Sequence, residues 1–388
     1  MKKVYTIIIA AVMVSAGCKK NNNNEPSKQE ELEPVNDPLL FGLTRVGDNY
    51  VPTEWQGKRR DTSIVSYKHK SLVVTGFYER SIVTPNGVGK GIEYYGNEVT
   101  DGKGSRLCQF LEKSTPFSES AGRKLDPSYV EWSQGCTSYN GSTYIIAIGR
   151  MPGQRVNSYY YKIDGQTRKI TSHPLAPTPN GNGYAWHCGT SKGLIVSKSL
   201  SPDTKKTFLE VFREDNWIQD YKLEVPGHIY IDVENLFAKD DNHLIAIVAC
   251  KRAGTPITGL FYFTINLTDH TVKLYQAEMP EANFHINKGA YVNNTVYLPY
   301  YENGSNKCAY VTLKLDPNTG KLVTNKFDLP TKAGVPYGSA TLIGTEGNNV
   351  YVAGEQGGLA CYWRNDKLID IENKETTSSV ITAISVYD

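Results

Sequence analysis

The chain reads as an all-β protein: a β-propeller of seven four-stranded blades closed by joining its amino- and carboxy-terminal strands, with a six-bladed ring as the alternative. Three observations predict it. The composition is rich in strand and turn residues, with 26 Tyr, 34 Gly and 19 Pro against 4 Met, and no long stretch of helix formers recurs at 3.6-residue spacing. An apolar strand recurs at a nearly fixed interval. The two ends of the chain look like complementary pieces of one sheet. A pair of β-sandwiches and a β-solenoid are the competing architectures.

The recurrence is carried by Leu72-Val73-Val74, Tyr144-Ile145-Ile146, Leu194-Ile195-Val196, Leu244-Ile245-Ala246-Ile247, Val296-Tyr297-Leu298 and Val350-Tyr351-Val352. Their starts, at 72, 144, 194, 244, 296 and 350, are separated by 72, 50, 50, 52 and 54 residues. A period near 50 fits a four-stranded blade, a unit that cannot bury its faces alone. The first interval is longer by 22 residues, and the excess falls in the Gly-rich stretch from Ser81 to Gly104, read as an inserted loop.

Within the units, Tyr159 to Gly165, Phe261 to Leu267 and Val311 to Gly320 each run from an aromatic or apolar strand into an Asp, Asn or Gly turn, which is hairpin chemistry. At the ends, Leu39 to Leu43 followed by Asp48 to Val51 reads as a hairpin lacking its inner strand. Val380 to Val386 reads as the strand it lacks. Pairing them removes two open sheet edges.

Ahead of these elements stands a leader. Lys2 and Lys3 precede an apolar run, Val4 to Val14, which is too short to span a bilayer. It ends in Val14-Ser15-Ala16-Gly17-Cys18, which resembles the lipobox of bacterial lipoproteins, with Cys18 as the lipidated residue. The polar, Asn- and Glu-rich Lys19 to Pro34 has almost nothing to bury and reads as a tether. The expected organisation is a signal peptide over 1–17, a lipidated Cys18 and disordered tether over 18–37, and a single propeller domain over 38–388. Two or more acyl chains would hold such a protein on a membrane.

Charge excludes little except nucleic acid: the net charge is +2, with no run of Lys and Arg. Six cysteines follow Cys18, at 108, 136, 188, 250, 308 and 361. Most sit inside apolar runs without zinc-like spacing, so they read as small buried hydrophobes rather than disulfides.

Asn349-Val350-Tyr351-Val352-Ala353-Gly354 followed by Ala360-Cys361-Tyr362-Trp363-Arg364-Asn365 resembles the "VYVAG … A-YWKNG" blades of exported propeller lipoproteins of the Bacteroidota. The specific likeness covers that blade and the leader, and across the other blades it is only general. It implies an outer-membrane lipoprotein at the cell surface, or on the periplasmic face, that captures a ferric siderophore or other nutrient for a TonB-dependent receptor. It carries over no binding residues.

No HExxH, GxSxG, phosphate-binding glycine loop, EF-hand or Cys-x-x-Cys run is present, so no familiar catalytic motif supports an enzyme. In a propeller, the loops entering each inner strand and those leaving each second strand open on one face. On that face the sequence places Arg80, Trp132, Arg150, Trp186, His187, Lys198, Tyr230, Arg252, His285, Tyr300 and Tyr337 as candidate ligand-binding residues. Aromatic rings stack on flat ligands and cations neutralise anionic ones, so the expected ligand is a small anion, with no cofactor and a monomeric protein. His187, His228 and His285 stand near three successive inner-strand starts. Their unequal offsets favour separate hydrogen-bonded histidines over a metal site. Two other classes compete with ligand capture: an enzyme acting on acidic polysaccharide with a Tyr or His base, and a protein-binding scaffold.

Overall fold

The computed structural model describes residues 37–386 apart from 47–48, 58, 62–71, 85–86, 100–104, 111–113, 140, 154–156, 176–184, 204–205, 215, 227–229, 252–256, 280–283, 303–306 and 373–375. The leader and Cys18 therefore lie outside the described residues, and Asp37–Asp388 is one compact unit.

Its strands form seven antiparallel sheets. In chain order they are β1 (Leu39–Val46), β2 (Asn49–Gln56) and β3 (Arg59–Asp61); β4 (Leu72–Thr84), β5 (Gly87–Val99), β6 (Ser105–Phe110) and β7 (Ser114–Pro116), followed by the short helix α1 (Phe117–Ser120); β8 (Val130–Tyr139), β9 (Ser142–Arg150), β10 (Asn157–Ile163) and β11 (Ile170–Pro174). Next come β12 (Ala185–Thr190), β13 (Gly193–Asp203), β14 (Lys206–Arg213) and β15 (Asn216–Leu223); then β16 (Tyr230–Ala238), β17 (His243–Lys251), β18 (Ile257–Asn266) and β19 (Val272–Gln276). The sixth sheet has a first strand in two pieces, β20 (Phe284–Ile286) and β21 (Ala290–Val292), then β22 (Thr295–Glu302), β23 (Cys308–Leu315) and β24 (Leu322–Leu329). The seventh is β25 (Gly338–Glu346), β26 (Asn349–Gln356), β27 (Leu359–Arg364) and β28 (Lys367–Asp370), and the last strand is β29 (Ser378–Ser385).

β29 pairs with β1, Leu39 opposite Ser385 and Arg45 opposite Ser378, so both ends of the chain share one sheet, as their sequences predict. The fold is an all-β propeller. First strands of successive sheets touch, β29 with β4, β4 with β8, β8 with β12, β12 with β16, and β25 with β29.

The Ser81–Gly104 stretch is not an inserted loop. Most of it belongs to a long hairpin in which β4 and β5 pair from Leu72–Glu98 to Thr84–Gly87. The sequence error is one of phase: Leu72-Val73-Val74 opens a first strand, whereas the other five marker runs lie in second strands. A shared bulge restores the period. First strands bulge at Val74/Gly76, Ser133/Gly135, Val233/Asn235, Ala340/Leu342 and, in β29, opposite Phe41/Gly42. The residues opposite the bulges include Phe41, Tyr95 and Ile146, which are 54 and 51 residues apart.

The predicted hairpins form for a local reason. At the β10–β11 turn, Asp164 Oδ1 accepts from the backbone N–H groups of Gln166 (3.1 Å) and Thr167 (2.7 Å) and from Thr167 Oγ1 (2.8 Å). Asp316 repeats the device at β23–β24 with Asn318 N (2.8 Å) and Thr319 Oγ1 (2.9 Å). Both carboxyls are held below the usual range by these donors.

The apolar core lies between sheets. Ile195, Val211, Leu244, Val248, Phe261 and Phe263 join the fourth and fifth; Ile247, Tyr262, Phe284, Leu298 and Val311 join the fifth and sixth. Each such side chain contributes about 1.5–3 kcal/mol on burial. Between the second and third sheets the filling includes a carboxylate. Glu131 is fully buried, and accepts from Tyr159 OH, Tyr161 OH (2.7 Å) and Leu107 N (3.3 Å). Arg123 lies over the Tyr159 ring, 4.4 Å from its centroid. All six described cysteines are free thiols.

Candidate functional site

Each sheet has two rims. At the entry rim the chain enters the first strand and leaves the second, as at the pair Val130–Arg150; at the hairpin rim the first strand turns into the second, as at Tyr139–Ser142. The sequence-based candidates were assigned to the entry rim. There, Arg150 is exposed, Tyr337 is 48% exposed, Trp132 is half-buried, and His285 is exposed with its ring stacked on Tyr301 at 5.0 Å. No hydrogen bond, ion pair or ring contact joins these four residues to one another among the described residues. Tyr300 does not line a mouth. It is 1% exposed, stacked on Phe284 at 5.3 Å with Lys326 Nζ 5.1 Å from its centroid, because strand alternation turns it into the same packed layer as Leu298. Arg80, Trp186, Lys198 and Tyr230 lie on β4, β12, β13 and β16, with side chains outside the description; Arg252 and His228 lie outside the described residues.

His187 points elsewhere, into the interior. A cavity of about 580 Å³ is lined by first strands of four consecutive sheets: Ser133, Cys136 and Thr137 of β8, His187 to Gly189 of β12, Glu234 to Ala238 of β16, and Ile286 to Tyr291 across the β20–β21 break. It occupies the half of these strands nearer the hairpin rim. There it meets a shallower depression lined by Thr137, Ser138, Thr190, Ser191, Lys239, Asp240 and Asp241.

The bulges position the lining. After the bulge at Gln134, Gly135 has φ +135°, and a Cβ there would lie 2.8 Å from His187 Cε1, 3.3 Å from His187 Nε2 and 3.0 Å from Lys288 Nζ. Three sheets thus converge on one point, and only glycine leaves room for it. Lys288 is set by its neighbours. Asn287 Nδ2 donates to Ala340 O (3.1 Å), Gly289 N donates to Asn235 Oδ1 (2.7 Å), Asn235 Nδ2 donates to Asn287 O (3.0 Å), and Lys288 forms a parallel bridge with Leu342. These bonds tie the fifth, sixth and seventh sheets together at the level of the cation.

Lys288 is exposed to the cavity and makes no ion pair or hydrogen bond among the described residues. His187 is half-buried, hydrogen-bonded to the backbone of Cys136, and its pKa is pushed down to about 3 by desolvation, with the Lys288 charge adding to the effect. It is therefore neutral at pH 7. Cys136 and Tyr95, hydrogen-bonded to each other behind this pair, are both pushed up by burial, so neither is a ready anion. Among the described residues no group of three His, Cys, Asp or Glu side chains is placed to hold a metal ion.

The sequence reading found His187 but missed Lys288, Gly135 and the asparagines. A signal for them existed in Ser133-Gln134-Gly135 and Glu234-Asn235, which stand at matching offsets from the following strand.

No protein-family model matches the chain, and no curated protein matches it. Solved structures do. An oligogalacturonate lyase in complex with manganese shares 9% identity at TM-score 0.43, over 86% of this chain and 84% of that one. The six-bladed, fucose-recognising lectin of Aleuria aurantia shares 12% at TM-score 0.42, over 77% and 97%. A GH43 β-xylosidase/α-arabinofuranosidase from a compost microbial metagenome shares 12% at TM-score 0.35, over 66% and 94%. Likenesses at this level concern the propeller fold alone.

Proposed function

We propose that the protein is an exported lipoprotein whose seven sheets are the blades of one closed ring, and that it captures a small anionic ligand in the central cavity. The observation that carries the ligand class is Lys288, a cation held by its neighbours in a cavity of about 580 Å³ without a partner of its own among the described residues. Small-molecule sites are concave, of this size, and orient their ligands with a few polar groups. An unpartnered charge set among protein walls interacts more strongly with an anion than one on an open surface. Arg150 and the other entry-rim cations would act in steering rather than in the final contact.

The leader and the tether, with the likeness of the seventh sheet to Bacteroidota propeller lipoproteins, favour an outer-membrane anchorage and delivery of the ligand to a receptor. A ferric siderophore and an acidic saccharide are the ligands to try first. The test is a titration of the full chain with a ferric catecholate, its iron-free form and an acidic oligosaccharide, followed by intrinsic fluorescence with an inner-filter control. Saturable binding by an anion, lost in Lys288→Met, supports the reading. Turnover of the saccharide would transfer the site to an enzyme, and an absence of binding by every anion would overturn the capture reading in favour of a protein-binding scaffold.

A further inference from the structure

The cavity offers two unlike groups side by side. Lys288 Nζ can only donate. His187 is different: it is neutral, and a neutral imidazole carries one N–H donor and one acceptor nitrogen. Lys288 Nζ and the Cε1–Nε2 edge of His187 both lie within 3.3 Å of the point where Gly135 would carry a Cβ, so the ammonium and the ring edge are neighbours and one ligand in the cavity can reach both. A bare carboxylate satisfies the lysine and leaves the histidine facing another acceptor. A neutral sugar does the reverse.

Resting on the anion-capture reading, we propose that this pair recognises a hydroxy acid, its carboxylate on Lys288 and its adjacent hydroxyl donating to the acceptor nitrogen of His187. A sugar acid is the natural form of such a ligand. The adjoining depression supplies side-chain hydroxyls from Thr137, Ser138, Thr190 and Ser191 for further hydroxyl groups. Ser191 is already fixed there by its bond to Asp241. The requirement for a donor next to the anionic group is what separates this ligand class from phosphate or a simple fatty acid.

Ligand-observed NMR on the full chain at pH 7.5 tests this with matched probes: lactate against propionate, and gluconate against glucose. The expected result is that lactate binds roughly 3- to 10-fold more tightly than propionate, the value of one hydrogen bond. Gluconate should bind and glucose should not. Lys288→Met should abolish binding of both acids, whereas His187→Phe should keep acid binding and erase the lactate–propionate difference. His187→Gln, whose amide oxygen still accepts, should restore part of it. Equal binding of lactate and propionate by the wild-type chain overturns the hydroxy-acid proposal while the anion site stands, and so does a preference that survives in His187→Phe. Failure of every acid to bind overturns both.

Discussion

Two ionisable side chains of this molecule are treated in opposite ways. Glu131, between the second and third sheets, is fully enclosed and receives three donors, from Tyr159, Tyr161 and Leu107. Lys288, on the first-strand side of the sixth sheet, is held by bonds to its neighbours and receives nothing itself among the described residues. A charge surrounded by its complement fixes structure, because removing either side leaves unpaired polar groups. A charge that is fixed in place but uncompensated stores an interaction for something that arrives later. The difference separates a part of this propeller that holds sheets together from the part proposed to meet a ligand.

The comparison is broken most severely at the carboxylate. Glu131→Ala strands two tyrosine hydroxyls and a backbone N–H in a dry interface, and should cost about 2–4 kcal/mol of stability by chemical denaturation. Glu131→Gln, which keeps an acceptor, should cost less. Next in size is Gly135→Ala, which meets both an unfavourable φ and the His187 and Lys288 side chains. It should cost about 1–3 kcal/mol and also block the cavity, seen as lost anion binding in the folded fraction. Lys288→Met should be nearly silent in stability, within about 0.5 kcal/mol, while removing anion binding. A large loss of stability there would show that the lysine is structural and would erase the contrast.

A further test of the cavity is the pH dependence contributed by His187. Its folded pKa lies below that of the unfolded chain, so the unfolded state binds the extra proton first. The stability it contributes is complete above about pH 6.5 and is lost as the pH falls towards 3. Denaturation midpoints of the wild type and His187→Phe, compared between pH 7 and pH 4, should therefore converge at the acidic end.

Much of the fold could be read from local chemistry. The Asp164 and Asp316 turns are encoded within four residues, and the strand-like run from Val380 to Val386 matches the amino-terminal hairpin whose sheet β29 completes. The phase error at Leu72 arose because first and second strands are both apolar here, and a run of three residues does not say which it belongs to. The Asn86-Gly87 pair inside the supposed insertion was the available sign of a hairpin. The site was less legible for a physical reason. A bulge shifts strand alternation by one residue, so the side chains that reach the cavity from β8 and β16 are not those that simple alternation assigns. Lys288 falls in the break between β20 and β21, where no strand pattern exists to read. Tyr300, by contrast, was an avoidable error: it alternates with Leu298, whose burial the sequence already implied.

The pairing of β29 with β1 has a consequence for how the molecule is made. Thr382 Oγ1 donates to Phe41 O across 341 residues of chain, so this sheet is completed only by a strand that follows all the other described strands in the chain. Contacts of such sequence separation form slowly. Until they form, β1 presents an unsatisfied edge that invites pairing with other chains. Truncation within 378–385 should therefore yield aggregation out of proportion to the few residues removed, with the rate of reaching the native state governed by the closing strand rather than by any single blade.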